Sequence, residues 1–144
     1  MRNHYEALEA MYVNGPINQF FRPAIHVDNG TAEVRMAVRP EMHHAAHAAH
    51  GAVYFKMLDD AAFFAVQSLV TDVFVLTVSF NLHLLKPVAG GEVVASGTVV
   101  HQSKRLFLAE SILANGSGDV IARGSGSFMR SAIRLEGRVG YSTG

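Results

Sequence analysis

One stretch, residues 50–69, constrains the fold of this chain more than any other. It contains no Pro and no Gly after Gly51, and it is rich in Ala, Leu and Met, so it is predicted to be one helix that is apolar on almost every side. Such a helix must be buried. Two adjacent carboxylates, Asp59 and Asp60, interrupt it, and an unpaired charge removed from water costs several kcal/mol or forces its pKa upward. These two residues are therefore the first candidates for function.

The residues before this helix are predicted to form a short helix and a hairpin. Apolar residues at helical spacing indicate a helix over 4–13, which ends at Asn14-Gly15-Pro16. Two strand-like runs, Ala24–Asp28 and Thr31–Val38, are joined by Asn29-Gly30, the strongest short hairpin signal.

Four strand-like runs separated by short turns follow the long helix. They cover residues 73–84, 92–102, 106–113 and 120–129. The predicted fold is therefore α+β, an antiparallel six-stranded sheet wrapped around a long central helix. The edges of such a sheet need cover, which a second copy of the chain could supply. The first of the four runs alternates with period two, and its apolar face is predicted to carry Phe74, Leu76, Val78, Phe80, Leu82 and Leu84.

Composition limits the organisation and the partners of the protein. The 144 residues suffice for one domain, predicted over 1–144 with a core at about 15–130 and a loose, Gly-rich tail at 134–144. Twelve basic and twelve acidic residues cancel without long runs, so no nucleic-acid or membrane surface is indicated. The apolar fraction of 49% favours a homo-oligomer. With no cysteine, no apolar signal-peptide core at residues 1–6 and no long apolar span, we expect a cytoplasmic protein.

Four histidines fall within eight residues: His43, His44, His47 and His50. If the segment were helical, His43, His47 and His50 would share one face, which is a possible metal geometry. However, no Glu of the His-Glu-x-x-His kind accompanies them, and Ala fills the spacing. An exposed or locally hydrogen-bonded loop is the preferred interpretation, and we expect no metal.

The long helix offers two places for chemistry. At its start, Gly51 would let a carbonyl or an anion approach free backbone N–H groups. Further along, Lys56 and Asp60 form an i,i+4 pair, which explains Asp60 as a structural residue. Asp59 is rotated about 100° around the helix axis from Asp60. Because it is less well explained by that pair, Asp59 is the candidate catalytic acid.

Several motifs together resemble one enzyme family. His50-Gly51, a carboxylate nine residues after the His and the Ala-rich helix between them resemble the His-Gly-Gly…Asp signature of hotdog-fold acyl-CoA thioesterases of the PaaI type, in the 4-hydroxybenzoyl-CoA thioesterase superfamily. Residues 77–82 with Lys86-Pro87, the following Gly-Gly-Glu turn and residues 122–126 extend the similarity to about 15–130. The resemblance implies the hotdog fold and hydrolysis of an acyl-CoA thioester. Coenzyme A is then part of the substrate, and no other cofactor is expected.

The resemblance also implies roles for individual residues. The acid matching Asp59 acts as nucleophile or general base, and the backbone N–H that follows His50, which is that of Gly51, polarises the thioester carbonyl. His44 stands where the family commonly has an Asn that binds the carbonyl or a water molecule. Thr77 matches a Ser or Thr that can position water.

Two departures from the family pattern leave alternatives open. Ala52 replaces the second Gly and narrows the approach to the helix start, which affects the size or shape of the substrate. A neutral His44 still donates one hydrogen bond, although with a different pH dependence from Asn. A non-catalytic acyl-CoA binding or sensing module is therefore an alternative. A hotdog dehydratase is a weaker one, because no acid stands fourteen residues after any of the four clustered histidines.

The implied mechanism requires two subunits. Asp59 and Gly51 are about 12 Å apart along one helix, too far to act on one carbon atom. Antiparallel packing of two such helices would bring each acid beside the other's amino end. We therefore expect a homodimer or homotetramer with its active site at the subunit interface.

Candidate substrate contacts are cations and aromatic residues. The phosphates of coenzyme A need cations, and the candidates are Lys86, Lys104, Arg105, Arg123 and Arg130. The acyl pocket is expected among Tyr54, Phe55, Phe63 and Phe64.

Overall fold

A computed structural model describes residues 2–144, with the backbone alone for Arg2. It contains α1 (Arg2–Asn14), α2 (Asn18–Phe21), β1 (Ala24–Asp28), β2 (Thr31–Val38), a 3₁₀ turn (Pro40–Met42), α3 (Gly51–Gln67), β3 (Val73–Leu84), β4 (Gly91–Gln102), β5 (Phe107–Ala114) and β6 (Val120–Arg134). The six predicted strands, the short first helix and the long helix are confirmed. The sequence prediction missed α2 and the 3₁₀ turn, because a single turn is too short to show a period.

The six strands form one antiparallel sheet that packs against α3. Their order is β1-β2-β4-β5-β6-β3, so β1 and β3 are the two edges. The helix lies over the sheet with Met57, Leu58, Ala61, Ala62 and Ala65 fully buried. No helix within residues 2–144 has the length and apolarity needed to cross a bilayer.

Small residues bring α3 close to the middle of the sheet. A Cβ atom on Gly97 of β4 would lie 2.3 Å from the backbone oxygen of Ala61, so the two backbones are almost in contact there. Beside this point, Ser111 of β5 donates a hydrogen bond to the carbonyl oxygen of Leu58 at 2.8 Å. These two contacts fix the distance between α3 and the sheet, and this distance determines the position of Asp59 and Asp60 relative to the strands.

A β-bulge changes the predicted faces of β3. The pairing of β3 with β6 shifts register between Thr77 and Ser79. A bulge inserts one residue, so it reverses the alternation of side chains along the strand. As a result Thr77 and Phe80 both contact α3, through Asp59 and Phe55.

The prediction of one continuous apolar face on β3 is therefore wrong. The predicted alternation places Val75 on the opposite, mostly polar face, yet Val75 is fully buried. Leu76 and Val78, predicted on the apolar face, are 46% and 57% exposed. Periodicity alone does not reveal where a strand gains an extra residue.

The prediction of a loose C-terminal tail is also wrong for residues 135–141. Leu135 is only 1% exposed, and the Tyr141 hydroxyl lies 2.8 Å from Nδ1 of His4. A Cβ atom on Gly140 would lie 2.6 Å from the backbone oxygen of Ala10. These contacts place the segment against α1, and they depend on residues more than a hundred positions away, which local composition does not report.

The contact between Gly97 and α3 can be tested by substitution. Gly97→Ala would place a methyl group inside the helix backbone, and we expect it to reduce the free energy of unfolding by about 3 kcal/mol. Gly90→Ala is the matched control, because nothing lies within 4 Å of a Cβ atom there. Urea titrations of both variants measure the difference. Equal stability of the two variants would contradict the close approach of helix and sheet.

Candidate active site

Asp59 lies partly buried on α3 and is bonded to β3. Thr77 Oγ1 donates a hydrogen bond to Asp59 Oδ1 at 2.9 Å. The pKa of the Asp59 carboxyl is raised from 3.8 to about 6, mainly by burial; the Thr77 hydrogen bond lowers this pKa, the nearby Asp60 charge raises it, and Lys56 lowers it. Asp59 is therefore an unusually basic carboxylate that remains mostly ionised at neutral pH.

Asp60 has the structural role predicted for it. Its Oδ2 atom accepts a hydrogen bond from Lys56 Nζ at 2.7 Å and another from the Tyr12 hydroxyl at 2.6 Å. Burial and the nearby Asp60 raise the pKa of the Tyr12 hydroxyl far above its usual range, so Tyr12 stays protonated and donates. The Lys56 ammonium also lies over the rings of Tyr12 and Phe21, at 5.4 Å and 5.0 Å from their centroids. Asp60 is thus neutralised, and Asp59 beside it is not.

Asp59 lines a cleft with many apolar side chains, which we name the Asp59 cleft. Its volume is about 630 Å³. Phe63 and Phe64, two of the four aromatic residues predicted for an acyl pocket, line it. Thr77, which was predicted as a site residue, also lines it. The other lining residues were not predicted for an acyl pocket, and they are Met11, Tyr12, Gly15, Ile17, Asn18, Lys56, Asp60, Phe74, Leu76, Gly137, Arg138 and Val139.

The start of α3 forms a second, smaller cleft of about 260 Å³, which we name the Gly51 cleft. It is lined by His44, Ala49, Gly51, Tyr54, Leu84, Leu85, Lys86 and Pro87. His50 is the N-cap residue of the helix, and its Nδ1 accepts a hydrogen bond from the Ala52 N–H at 2.9 Å. Among residues 2–144 no acceptor is found for the Gly51 N–H. This N–H is therefore a backbone donor without a partner among the described residues at the start of the helix.

His44 shares the Gly51 cleft and supplies a second donor. Its Nδ1 accepts a hydrogen bond from the Ala46 N–H at 3.0 Å. Because a backbone N–H can only donate, the proton of the neutral His44 ring must be on Nε2. His44 thus keeps one N–H available, as a residue standing in for Asn would need to.

The histidine segment is a closed loop and not a helix. His43 Nε2 donates to the Ala89 carbonyl at 2.7 Å, and His47 has a left-handed backbone with φ of 63°. The helical geometry that would align three histidines is therefore absent. No group of three metal-ligating side chains occurs within residues 2–144.

The two clefts lie at different points along α3 in a single chain, the Gly51 cleft at the start of the helix and the Asp59 cleft beside its middle. Thr77 of β3 contacts Asp59, and Leu84 of the same strand lies at the helix start, 3.3 Å from where a Cβ atom on Gly51 would stand. Asp59 and Gly51 remain about 12 Å apart along the helix. One chain alone does not bring the acid and the Gly51 N–H to a common point.

The other predicted contact residues are dispersed. Lys86 lines the Gly51 cleft and forms an ion pair with Asp119 at 3.7 Å. Arg123 lines a groove on the other face of the sheet, and Lys104 and Arg105 are exposed in the turn between β4 and β5. Arg130 forms an ion pair with Asp72 at 3.4 Å.

Two of the four aromatic residues predicted for the acyl pocket lie outside the Asp59 cleft. Tyr54 lines the Gly51 cleft and donates its hydroxyl to the Lys86 carbonyl at 2.7 Å. Phe55 packs edge-on against Phe80, with ring centroids 5.7 Å apart.

Substitution of Asp59 should stabilise the protein. A pKa raised from 3.8 to about 6 means that ionising Asp59 costs folding free energy; this cost is full above pH 6 and disappears as the pH falls below 3.8. Asp59→Asn removes the charge and still accepts from Thr77, so at pH 8 we expect a gain of about 1–3 kcal/mol. The gain should be smaller at pH 5. Thermal unfolding at both pH values measures it.

Asp60→Asn is the matched control for this prediction. It weakens the ion pair with Lys56, so it should lower the melting temperature at pH 8. A lower melting temperature for Asp59→Asn at pH 8 would contradict the buried, strained state of the Asp59 carboxylate.

Comparison with known proteins identifies a family. Residues 47–122 match the family model described as the thioesterase superfamily. Comparison with curated protein sequences finds no match.

Solved structures share the fold. The PaaI protein of Escherichia coli, from the phenylacetic acid degradation operon, superposes with a TM-score of 0.84 at 24% identity, over 92% of this chain and 96% of that one. A thioesterase enzyme from Staphylococcus aureus gives 0.76 at 18% identity, over 80% and 98% of the chains. The TT0310 protein of Thermus thermophilus gives 0.75 at 22% identity, over 82% and 99%. The fold is therefore the hotdog fold, as the resemblance implied.

Proposed function

The chain belongs to the thioesterase superfamily, which makes thioester hydrolysis its general activity, and on that premise we propose that it hydrolyses acyl-CoA esters at a site shared by two subunits. In this proposal Asp59 of one subunit is the nucleophile or general base. The Gly51 N–H of the other polarises the thioester carbonyl. The observation that carries the proposal is a partly buried, unpaired carboxylate facing an apolar cleft.

The hydrogen bonding of Asp59 supports its proposed role. Thr77 holds Oδ1, which leaves Oδ2 to take a proton from water or to attack the carbonyl carbon. In the general-base route, the water oxygen bonds to the carbonyl carbon and Asp59 takes its proton. The C–S bond then breaks, and the proton passes to the departing CoA sulfur. A pKa of about 6 suits a base at neutral pH.

The donors of the Gly51 cleft suit the negative charge that forms on the carbonyl oxygen. The unpartnered Gly51 N–H stands at the positive end of the α3 dipole, and His44 Nε2–H lines the same cleft. Loss of one such donor typically reduces the rate by about 10²- to 10³-fold. Lys86, in this same cleft, is the best-placed of the predicted cations for the phosphates of coenzyme A.

The edge position of β3 supports a shared site. We propose that two copies of β3 pair antiparallel around a twofold axis between Phe80 and Asn81. Position 77 of one strand then lies opposite position 84 of the other. Because Thr77 contacts Asp59 and Leu84 contacts Gly51, this register would bring each Asp59 to the partner's helix start. The exposed apolar residues of β3 would be covered by the same pairing.

The role of Asp59 predicts a pH profile. Since the ionised carboxylate is the active form, kcat/KM should decrease about tenfold per unit as the pH falls below about 6. Thr77→Val removes a hydrogen bond that lowers the pKa of Asp59, so the acidic limb should move to higher pH. Hydrolysis of a panel of acyl-CoA esters, followed with a thiol reagent, measures both profiles.

Asp59→Asn should abolish hydrolysis in the same assay while leaving acyl-CoA binding intact. Full turnover by this variant would rule out the proposed role of Asp59. Acyl-CoA binding by the wild-type protein without any turnover would instead support the sensing module.

The shared site predicts complementation between two inactive variants. Gly51→Pro removes the N–H at the first helical position, where Pro is tolerated, and Gly51→Ala is the control that keeps it. An assembly of one Asp59→Asn chain and one Gly51→Pro chain would contain one wild-type site and one doubly defective site. Co-expressed with different tags and purified through both, it should show about half of the wild-type activity. If the mixed assembly were no more active than the two parent variants, Asp59 and the Gly51 N–H would have to act within the same chain, and the shared site would be wrong.

A further inference from the structure

We propose that the two ends of the chain form a clasp that selects the acyl group, with Val139 as the residue that determines specificity. The clasp consists of α1 and residues 135–141. This inference deepens the proposed function and rests on it. The acyl groups it would favour are uncharged, apolar and long enough to reach Val139.

The Asp59 cleft has two walls of different origin. One wall, with Asp59, Phe63 and Thr77, comes from the segment 47–122 that matches the thioesterase superfamily. The facing wall comes from sequence outside that segment, and its residues are Met11, Tyr12, Gly15, Ile17, Asn18, Gly137, Arg138 and Val139. Asp59, Gly51 and Thr77 thus lie in the family segment, His44 lies three residues before it, and the other side of the cleft is built by residues nearer the chain ends.

Gly140 fixes the C-terminal half of the clasp on α1. Its φ is +74°, a conformation that L side chains rarely adopt, and a Cβ atom there would lie 2.6 Å from the Ala10 oxygen and 2.9 Å from the Ala10 carbonyl carbon. The obstacle is helix backbone, which cannot move aside as a flexible side chain would. Any larger residue at position 140 must therefore displace the segment that carries Val139.

His4 closes the clasp on its other side. The ring is 5% exposed, its Nδ1 lies 2.8 Å from the Tyr141 hydroxyl and its Nε2 lies 3.0 Å from the Gln67 carbonyl oxygen. A carbonyl only accepts, so Nε2 donates to Gln67, and Nδ1 accepts from Tyr141. One side chain thereby joins α1, the end of α3 and the C-terminal segment.

The chemistry of the cleft defines the acyl group. Phe63, Phe64, Phe74 and Leu76 provide an apolar lining, and Lys56 is already neutralised by Asp60. Two cations line the cleft, and because Lys56 is paired with Asp60, only Arg138 is left to attract an anionic acyl group, which would also meet the Asp59 carboxylate. An ammonium group would lose its hydration in apolar surroundings. An uncharged hydrocarbon group fits both conditions.

Val139 has apolar surface that an acyl chain could cover. It is 54% exposed although it lines the cleft. Each methylene group buried there should raise kcat/KM by about fourfold. Acetyl-CoA has the shortest acyl group of the series and so the least apolar surface to bury against Val139, which makes it the internal reference.

The experiment compares acetyl-, butyryl-, hexanoyl- and octanoyl-CoA as substrates of the wild-type protein, Val139→Ala and Gly140→Ala. For Val139→Ala we expect kcat/KM for the longest accepted esters to fall about tenfold through KM, with kcat and the acetyl-CoA rate unchanged. Gly140→Ala should give the same pattern and faster trypsin cleavage after Arg138. Gly30→Ala is the control, because Gly30 also has positive φ, at +72°, but has nothing within 4 Å of its Cβ position and does not line the cleft.

Calorimetric binding of hexyl-CoA, a thioether that cannot be hydrolysed, separates this inference from the proposed function. Turnover with the same chain-length preference in all variants would overturn the clasp and leave the thioesterase proposal standing. Binding of hexyl-CoA that weakens about tenfold in Val139→Ala, without turnover of any ester by the wild-type protein, would support the clasp and overturn acyl-CoA hydrolysis. If Gly140→Ala does not fold, the chain-length dependence of kcat/KM and the hexyl-CoA affinity of Val139→Ala test the clasp on their own.

Discussion

The structure depends on a carboxylate that is kept partly out of water on an apolar helix. Asp59 forms no ion pair with any side chain of residues 3–144, because Lys56 is bonded to Asp60 and lies over the Tyr12 ring. Burial therefore determines its pKa, and Thr77 compensates only in part. The ionised Asp59 carboxylate lowers the stability of the folded protein, and such a cost is typical of residues that are kept for reactivity.

Placing that carboxylate requires exact distances between helix and sheet. The absence of a side chain at Gly97 lets α3 approach β4 closely, and the β3 bulge turns Thr77 toward the helix. Without the bulge, Thr77 and Phe80 would lie on opposite faces, and either the hydrogen bond to Asp59 or the contact with Phe55 would be lost. The bulge in β3 is therefore what allows Thr77 to bond Asp59 while Phe80 packs against Phe55.

One side of the Asp59 cleft is formed by the segment that matches the family, and the other side is formed by the two ends of the chain. The segment that matches the family carries Asp59, Gly51 and the strand between their clefts, whereas the chain ends supply the opposite wall through contacts of His4 and Gly140. Under the proposed function, the reacting groups would come from the family segment and the wall in contact with the acyl group from the chain ends. Fold and reaction class are therefore more readily inferred than the substrate.

Local pattern determined much of this protein. The lack of Pro and Gly in an apolar run predicted α3, and strand-like runs between turn residues predicted all six strands. An acid without an explanation on that helix made Asp59 the candidate catalytic residue. These signals are properties of neighbouring residues. The tertiary structure decided which face Thr77 occupies, where residues 135–141 pack and which residues form the wall opposite Asp59. Each of these depends on contacts between distant parts of the chain, whose energies arise only when the chain has folded and leave no period in the sequence.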